Sequence, residues 1–239
     1  MRIIARLDIK LNKLIKSIMY EGVRQLGNPE EFAQNYYTSG IDELILVNNT
    51  GSLYNTKLDL KLIKKIRKNK ALPITGGGGI TSIDDATNLI EAGCDKVIVN
   101  TLIHKDPAEI KKIVNLLGTS SVIGAIQFDK RAGKYVTLYE MARETTNLTI
   151  RETMKKYFDL GIGELLITDV SRDGCYHGLN EEIIDILKDN KDNFPLLVSG
   201  GFGNYKQIES FKNIASGIVI SSALHYNKIK IDELNKIKI

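Results

Sequence analysis

Eight times along its 239 residues this chain places a short, almost wholly apolar run before a stretch of helical periodicity. The runs are IIARLD (3–8), ELILVN (43–48), LPITGG (72–77), KVIVN (96–100), VIGAIQ (122–127), ELLITD (164–169), PLLVSG (195–200) and GIVISS (217–222). Near-continuous apolar runs of this length suit parallel strands buried on both faces. Helix-start signals follow several of them: Asn28-Pro29-Glu30-Glu31, Ser82 with Asp85, and Asp106-Pro107. Each sets an oxygen acceptor ahead of the first turn and acids or proline within it. Eight such units predict an α/β fold, a (β/α)8 TIM barrel, as a single domain over 1–239. An open doubly wound sheet leaves the count of eight unexplained. It also normally carries a glycine fingerprint after strand 1, where this chain reads LDIKLNK.

The chain also repeats itself. GIDELILVNN (40–49) returns as GIGELLITDV (161–170), and TGGGGI (75–80) as VSGGFG (198–203). The end of strand 4 at Asn100 matches Ser221 at the end of strand 8. Two half-barrels of four units each, about 1–120 and 121–239, are the expected origin of the barrel. Under this two-fold relation, Asp8 at the end of strand 1 falls opposite Gln127 at the end of strand 5.

Composition narrows the function classes. Apolar residues make up 43% and charged residues 26%, and the formal charge is +4 with both signs interspersed. That pattern reads as a solvated surface; no basic block is interleaved with aromatics, so no nucleic-acid partner is expected. No apolar run is long enough to span a bilayer, so no membrane partner is expected. The two cysteines, Cys94 and Cys175, have neither metal nor redox spacing and are expected to be packing residues. With no signal segment apparent, a cytoplasmic location is expected. No metal and no cofactor is expected.

Strand direction sorts the polar residues onto two mouths. The C-terminal mouth, where barrel enzymes do their chemistry, receives Asp8, Asn48, Asn100, Gln127, Thr168, Asp169, Ser199 and Ser222. Asp8 is a candidate general acid or base, because partial desolvation raises a carboxyl pKa toward neutrality. Two glycine-rich cradles lie on this mouth. Gly78 and Gly79 accompany Asn100 and Thr101; Gly200 and Gly201 accompany Ser199, Ser221 and Ser222, with Gly174 nearby. Glycines let backbone N–H groups approach a phosphate, and two cradles related by a two-fold imply a long ligand with a phosphate at each end. Strand-end glycines can equally serve turns alone. At the opposite mouth, Arg2, Glu43, Lys96 and Glu164 begin strands and form a ring of two positive and two negative charges, either closing the barrel or gating it. His177 sits on a loop over the upper mouth. His104 and His225 read as helix-start or surface residues.

These residues together resemble the cyclase subunit of imidazole glycerol phosphate synthase, essentially end to end. The resemblance is carried by RIIARLDIK, GIDELILV, GGGGITSIDDA, AGCDKVIVNT, GELLITDVSRDG, SGGFG and the tail SSALHYNKIKIDELNKI. A related isomerase of the same pathway shares the half-barrel repeat and the TDVSRDG run, but DKVIVNT and the tail fit the cyclase better. The resemblance implies a barrel that takes ammonia from a separate glutaminase subunit docked on its N-terminal face. It implies Arg2, Glu43, Lys96 and Glu164 as the gate, and Asp95 as facing the glutaminase. It implies Gly79, Asn100, Thr101, Gly174, Ser199, Gly200, Gly201 and Ser222 as phosphate residues, with Lys16 in a mobile first loop over a bis-phosphorylated or nucleotide-linked ligand.

The departures fall at the chemistry. The family uses two aspartates, at the ends of strands 1 and 5; Asp8 matches the first and Gln127 replaces the second. An amide does not exchange a proton usefully near neutral pH. A family aspartate at the end of strand 2 is Asn48, and the usual cysteine before Leu-Asp is Arg6. Asp169 and Asp129 are the candidate substitute acids. A paralogous branch, linked to acetamidino groups on bacterial surface sugars, resembles RLDIK…LIK…EGVRQLGNPEEFAQNYY more closely. The expectation is therefore an ammonia-receiving synthase subunit serving surface-glycan amidination. The alternatives are an authentic imidazole glycerol phosphate synthase cyclase of histidine biosynthesis and, behind it, the isomerase class.

Overall fold

The computed structural model describes residues 1–68, 70–189 and 193–237. Eight parallel strands form the barrel: β1 (Arg2–Lys10), β2 (Glu43–Asn48), β3 (Ile74–Gly77), β4 (Lys96–Val99), β5 (Val122–Arg131), β6 (Glu164–Asp169), β7 (Leu196–Ser199) and β8 (Gly217–Ile220). Each pairs in parallel with the next, and β8 pairs with β1 to close the ring. Strands β3 and β7 start two and one residues later than the apolar runs suggest. Pro73 and Pro195 have no N–H to give to a ladder; their carbonyls instead accept from Leu44 N (3.0 Å) and Leu165 N (3.1 Å).

Alternate residues on each strand serve two cores. Ile4, Ile45, Ile98, Ile123, Leu166, Leu197 and Val219 fill the barrel axis. β3 offers Gly77 toward that interior, and a Cβ there would lie 2.5 Å from Ile98 Cγ2. The intervening residues pack outward in one large cluster with the helices, whose buried members include Ala33, Ile63, Leu89, Ile113, Met154 and Tyr157. The predicted caps are made: Asn28 accepts from Glu30 N, Asp106 from Glu109 N, and Ser82 with Asp85 forms a reciprocal capping box. Cys94 is buried filler, its Sγ 2.5 Å from where a Cβ on Gly76 would be.

Antiparallel extensions of β1 and β5 lie outside the eightfold pattern. β1 runs past the barrel and turns back as strand Lys13–Ile18, which pairs on with Glu21–Gly27. β5 does the same through strand Lys134–Tyr139. The hairpin turns are alike, although Gln127 stands two residues farther from its turn than Asp8 does from its own. Leu11 (φ 48°) and Asn12 (φ 57°) match Ala132 (φ 47°) and Gly133 (φ 78°), each pair 121 residues apart. Two central residues with positive φ make the type I′ turn whose twist matches antiparallel strands. Lys16, expected on the first loop, stands on a paired strand and is 4% exposed.

Candidate functional site

At the N-terminal mouth the four ring residues meet. Arg2 donates to Glu43 Oε2 (2.8 Å) and to Glu164, Lys96 Nζ donates to Glu164 Oε2 (2.6 Å), and Thr75 Oγ1 donates to Glu43 Oε1 (3.0 Å). Both carboxylates are buried, while Arg2 and Lys96 stay partly exposed. Burial raises the Glu43 pKa, against the pull of Arg2 and Lys96. The axial apolar layer lies directly above. Asp95 is half-exposed on the same rim, where it accepts from Arg67 and from Ile74 N (2.7 Å).

At the C-terminal mouth a cavity of about 310 Å³ opens beside the first half-barrel. It gathers Gly78, Gly79, Asn100, Thr101, Gln127 and Thr168 as the sequence suggested, and adds Arg6, Asn49, Tyr20 and Lys105. The second cradle gathers Gly174, Ser199, Gly200, Gly201, Ser221 and Ser222, but encloses only about 10 Å³. It is a shallow cradle open to solvent. The cradle glycines have a backbone reason of their own. A Cβ on Gly78 (φ 91°) would come 2.2 Å from Asn48 O, and one on Gly200 (φ 99°) 2.4 Å from Asp169 O.

Arg6, met in the sequence only as a departure, dominates the upper mouth. Its Nε donates to Asp8 Oδ1 (2.9 Å), Nη1 to Tyr20 OH (3.2 Å) and Nη2 to Asn49 Oδ1 (3.3 Å). Lys16 Nζ bridges Asp8 Oδ2 (3.4 Å) and Asp173 Oδ2 (2.7 Å). Asp8 is 1% exposed and is absent from the cavity wall. Burial alone would raise its pKa, but Arg6 and Lys16 outweigh it and hold the carboxyl below the ordinary range. These surroundings run against a carboxyl tuned toward neutrality, since both oxygens of Asp8 are held by cations. Burial likewise works against the charge on Lys16, yet Asp173 and Asp8 leave its pKa raised. Arg6 was legible in principle, since it shares strand parity with Asp8 and so points to the same interior. Asp173, in the SRDG run, gave no comparable signal.

Gln127 stands in the mouth at the two-fold position of Asp8, and its Oε1 accepts from Ala142 N (3.0 Å). Asp169 does not replace it. In the register Thr168 lies beside Gln127, while Asp169 lies beside Phe128 of the outer core. Its carboxylate is taken by Ser171 Oγ (2.6 Å) and Asn180 Nδ2 (2.6 Å), which tie down the following loop. Asn48 does the same for its own loop through Thr56 Oγ1 and Lys57 O (both 3.1 Å). Asp129 lies on the hairpin extension, its Oδ1 accepting from Lys130 N (2.7 Å).

His104 and His225 differ from the surface reading. His225 is buried between Tyr36 OH (2.6 Å from Nδ1) and Ser221 Oγ (3.0 Å from Nε2). Burial, reinforced by Lys16, brings its pKa down to about 4. His104 packs on Tyr157 and Tyr139 and is lowered to about 4 by burial and by Lys156. His177 is exposed.

A closed (β/α)8 barrel with a charged ring at one mouth and a cavity at the other defines the class of protein. Residues 2–230 match the family of histidine biosynthesis proteins, and the chain belongs to that family. Relatives named imidazole glycerol phosphate synthase subunit HisF align along most of its length. The one from Legionella pneumophila is 35% identical over 86% of this chain and 97% of the relative. One from an Exiguobacterium species is 31% identical over 99% and 92%, and one from Pyrococcus furiosus is 32% identical over 98% and 93%. Among the described residues no helix is long and apolar enough to cross a membrane.

Proposed function

We propose that this barrel is the ammonia-receiving subunit of a two-protein glutamine amidotransferase. A HisH-like glutaminase docks at the N-terminal mouth, around Asp95 and the Arg2–Glu43–Lys96–Glu164 ring. Ammonia passes along the axis to an acceptor at the upper cavity. Neutral ammonia crosses an apolar layer such as Ile4, Ile45 and Ile98 far more readily than ammonium does, because an uncompensated charge there is costly. Passage requires the ring ion pairs to part.

The observation that carries the reading is the state of the two strand-end positions. Asp8 is locked by two cations and Gln127 has no proton to exchange, so the upper mouth lacks the acid–base pair for cyclisation. Delivery, rather than ring closure, is the chemistry left to the barrel. The acceptor on this reading is an activated surface-sugar precursor destined for an acetamidino group. The resemblance of the N-terminal run to that branch supports it. The protein acts in the cytoplasm, where glutamine and such precursors are found.

A second reading, an authentic cyclase subunit of histidine biosynthesis, is favoured by the names of the relatives above. Both readings call for the glutaminase. The test is tagged purification of the full chain together with a co-expressed glutaminase of this family. A stable complex is expected, with glutamine hydrolysis stimulated by the barrel. Failure of the two proteins to associate under mild conditions would overturn the proposal.

A further inference from the structure

The two-fold relation repeats a tyrosine–histidine pair, and the two copies are wired differently. Tyr36 and Tyr157 stand 121 residues apart, as do His104 and His225. In one pair Tyr157 OH donates to Ala125 O (3.2 Å) and lies 3.1 Å from His104 Nε2, so the phenol proton goes to a carbonyl and the imidazole supplies the N–H. In the other pair Tyr36 OH has one hydrogen-bond partner among the described residues, His225 Nδ1 at 2.6 Å. His225 Nε2 then lies 3.0 Å from Ser221 Oγ, and all three residues are buried.

Hydrogen-bond accounting fixes every proton in this second chain. Burial raises the Tyr36 pKa, so the phenol keeps its proton, and buried donors are rarely left without an acceptor. Nδ1 is the acceptor within reach, so Tyr36 donates to it. Burial, with Lys16 nearby, brings the His225 pKa to about 4 against the opposing pull of Asp8 and the Arg6 backbone, so the ring is neutral at pH 7 and carries one proton. That proton sits on Nε2 and faces Ser221 Oγ as a donor. Ser221 therefore cannot give its own proton to Nε2. Its O–H is left for the cradle that it lines with Gly200 and Gly201.

We propose that Tyr36 and His225 are positioning residues that make Ser221 a fixed hydrogen-bond donor to a phosphate oxygen in the cradle after β7 and β8. No proton is transferred; the chain sets which atom donates. A phosphate oxygen that only accepts is matched by a hydroxyl held in this state. The first cradle lacks the device: Asn100 stands in place of Ser221, and its Nδ2 is spent on Ala125 O (2.8 Å) and Leu138 O (3.3 Å). The proposal rests on the upper mouth being the acceptor site, as in the function proposed above, and is independent of glutaminase docking at the opposite end.

Nuclear magnetic resonance of the full chain tests both steps. In histidine-labelled protein, His225 is assigned through the signals that His225→Gln removes. Its Nε2 should be the protonated nitrogen and its Nδ1 the bare one; a proton on Nδ1 would overturn the proposal. Inorganic phosphate is then titrated and followed at the amides of Gly201 and Ser222, which lie in this cradle. Ser221→Ala should weaken phosphate there about tenfold, the worth of one hydrogen bond to a charged group. Tyr36→Phe, which keeps the ring, should weaken it about threefold to tenfold. The double variant should be no weaker than Ser221→Ala, because Tyr36 acts only through the serine. A Tyr36 that merely supports the fold would act equally with and without Ser221. That additive result, no effect of either single variant, or no phosphate response at these amides in the unmodified chain would each overturn the proposal. A glutaminase complex that forms normally beside any of these outcomes separates this failure from failure of the functional reading.

Discussion

Arg6 and Asp8 stand two residues apart on one strand and face the same interior, and that spacing decides the electrostatics of the upper mouth. Asp8 and Asp173 with Arg6 and Lys16 form a buried cluster of two carboxylates and two cations, in which no charge is spare. Removing the carboxylate leaves a guanidinium and an ammonium facing one another out of water. Asp8→Asn should therefore cost about 3–5 kcal/mol, read from urea unfolding at neutral pH. Acid should destabilise the protein in two windows. His104 and His225 have folded pKa values of about 4, below the ordinary 6.5, so the unfolded chain binds more protons between those values. Stability is full above pH 6.5 and falls as pH drops toward 4. Asp8, also lowered when folded, has stability present above its unfolded value of 3.8 that is lost at still lower pH. Unfolding free energy measured from pH 7 to 4 should fall, and His225→Gln should flatten that slope. A flat profile in the unmodified protein would contradict the burial of these imidazoles.

At the scale of elements, the hairpins were the part the sequence hid. Lys13–Ile18 reads KLIKSI, with two lysines among four apolar and small residues, and suggests an exposed loop. Only the partners Asp8 and Asp173, distant in sequence or on another strand, make Lys16 a buried residue. The turns were more legible than the strands. Ala132-Gly133 is a two-residue turn signal, and Asn12 is at home in the left-handed region. Leu11 is not: it holds φ 48° while 85% exposed. Leu11→Asn relieves that conformation and gives up almost no buried surface. It should raise stability by about 0.5–1 kcal/mol, seen as a higher Tm in calorimetry. By contrast, apolar runs, caps and prolines announced the barrel strands, because each acts through its immediate neighbours. Asp169 shows where such reasoning ends. Position in the run placed it at the mouth, but strand parity turned it outward to Ser171 and Asn180.

Across the whole molecule, one two-fold plan carries two unlike halves. Asn48 and Asp169 anchor equivalent loops, Pro73 and Pro195 precede equivalent strands, and both hairpins close through a two-residue turn of positive φ. The halves part at Asp8 and Gln127, and at the cradles. The lower mouth keeps its complete charged ring. On the proposed reading the ring is the entrance for ammonia, and a carboxylate held by two cations with an amide at the opposite mouth suits delivery. The direct measurement is turnover by the isolated chain supplied with an ammonium salt and the aminoimidazole bis-phosphate. The account predicts no imidazole glycerol phosphate. Robust turnover that Asp8→Asn abolishes would contradict it.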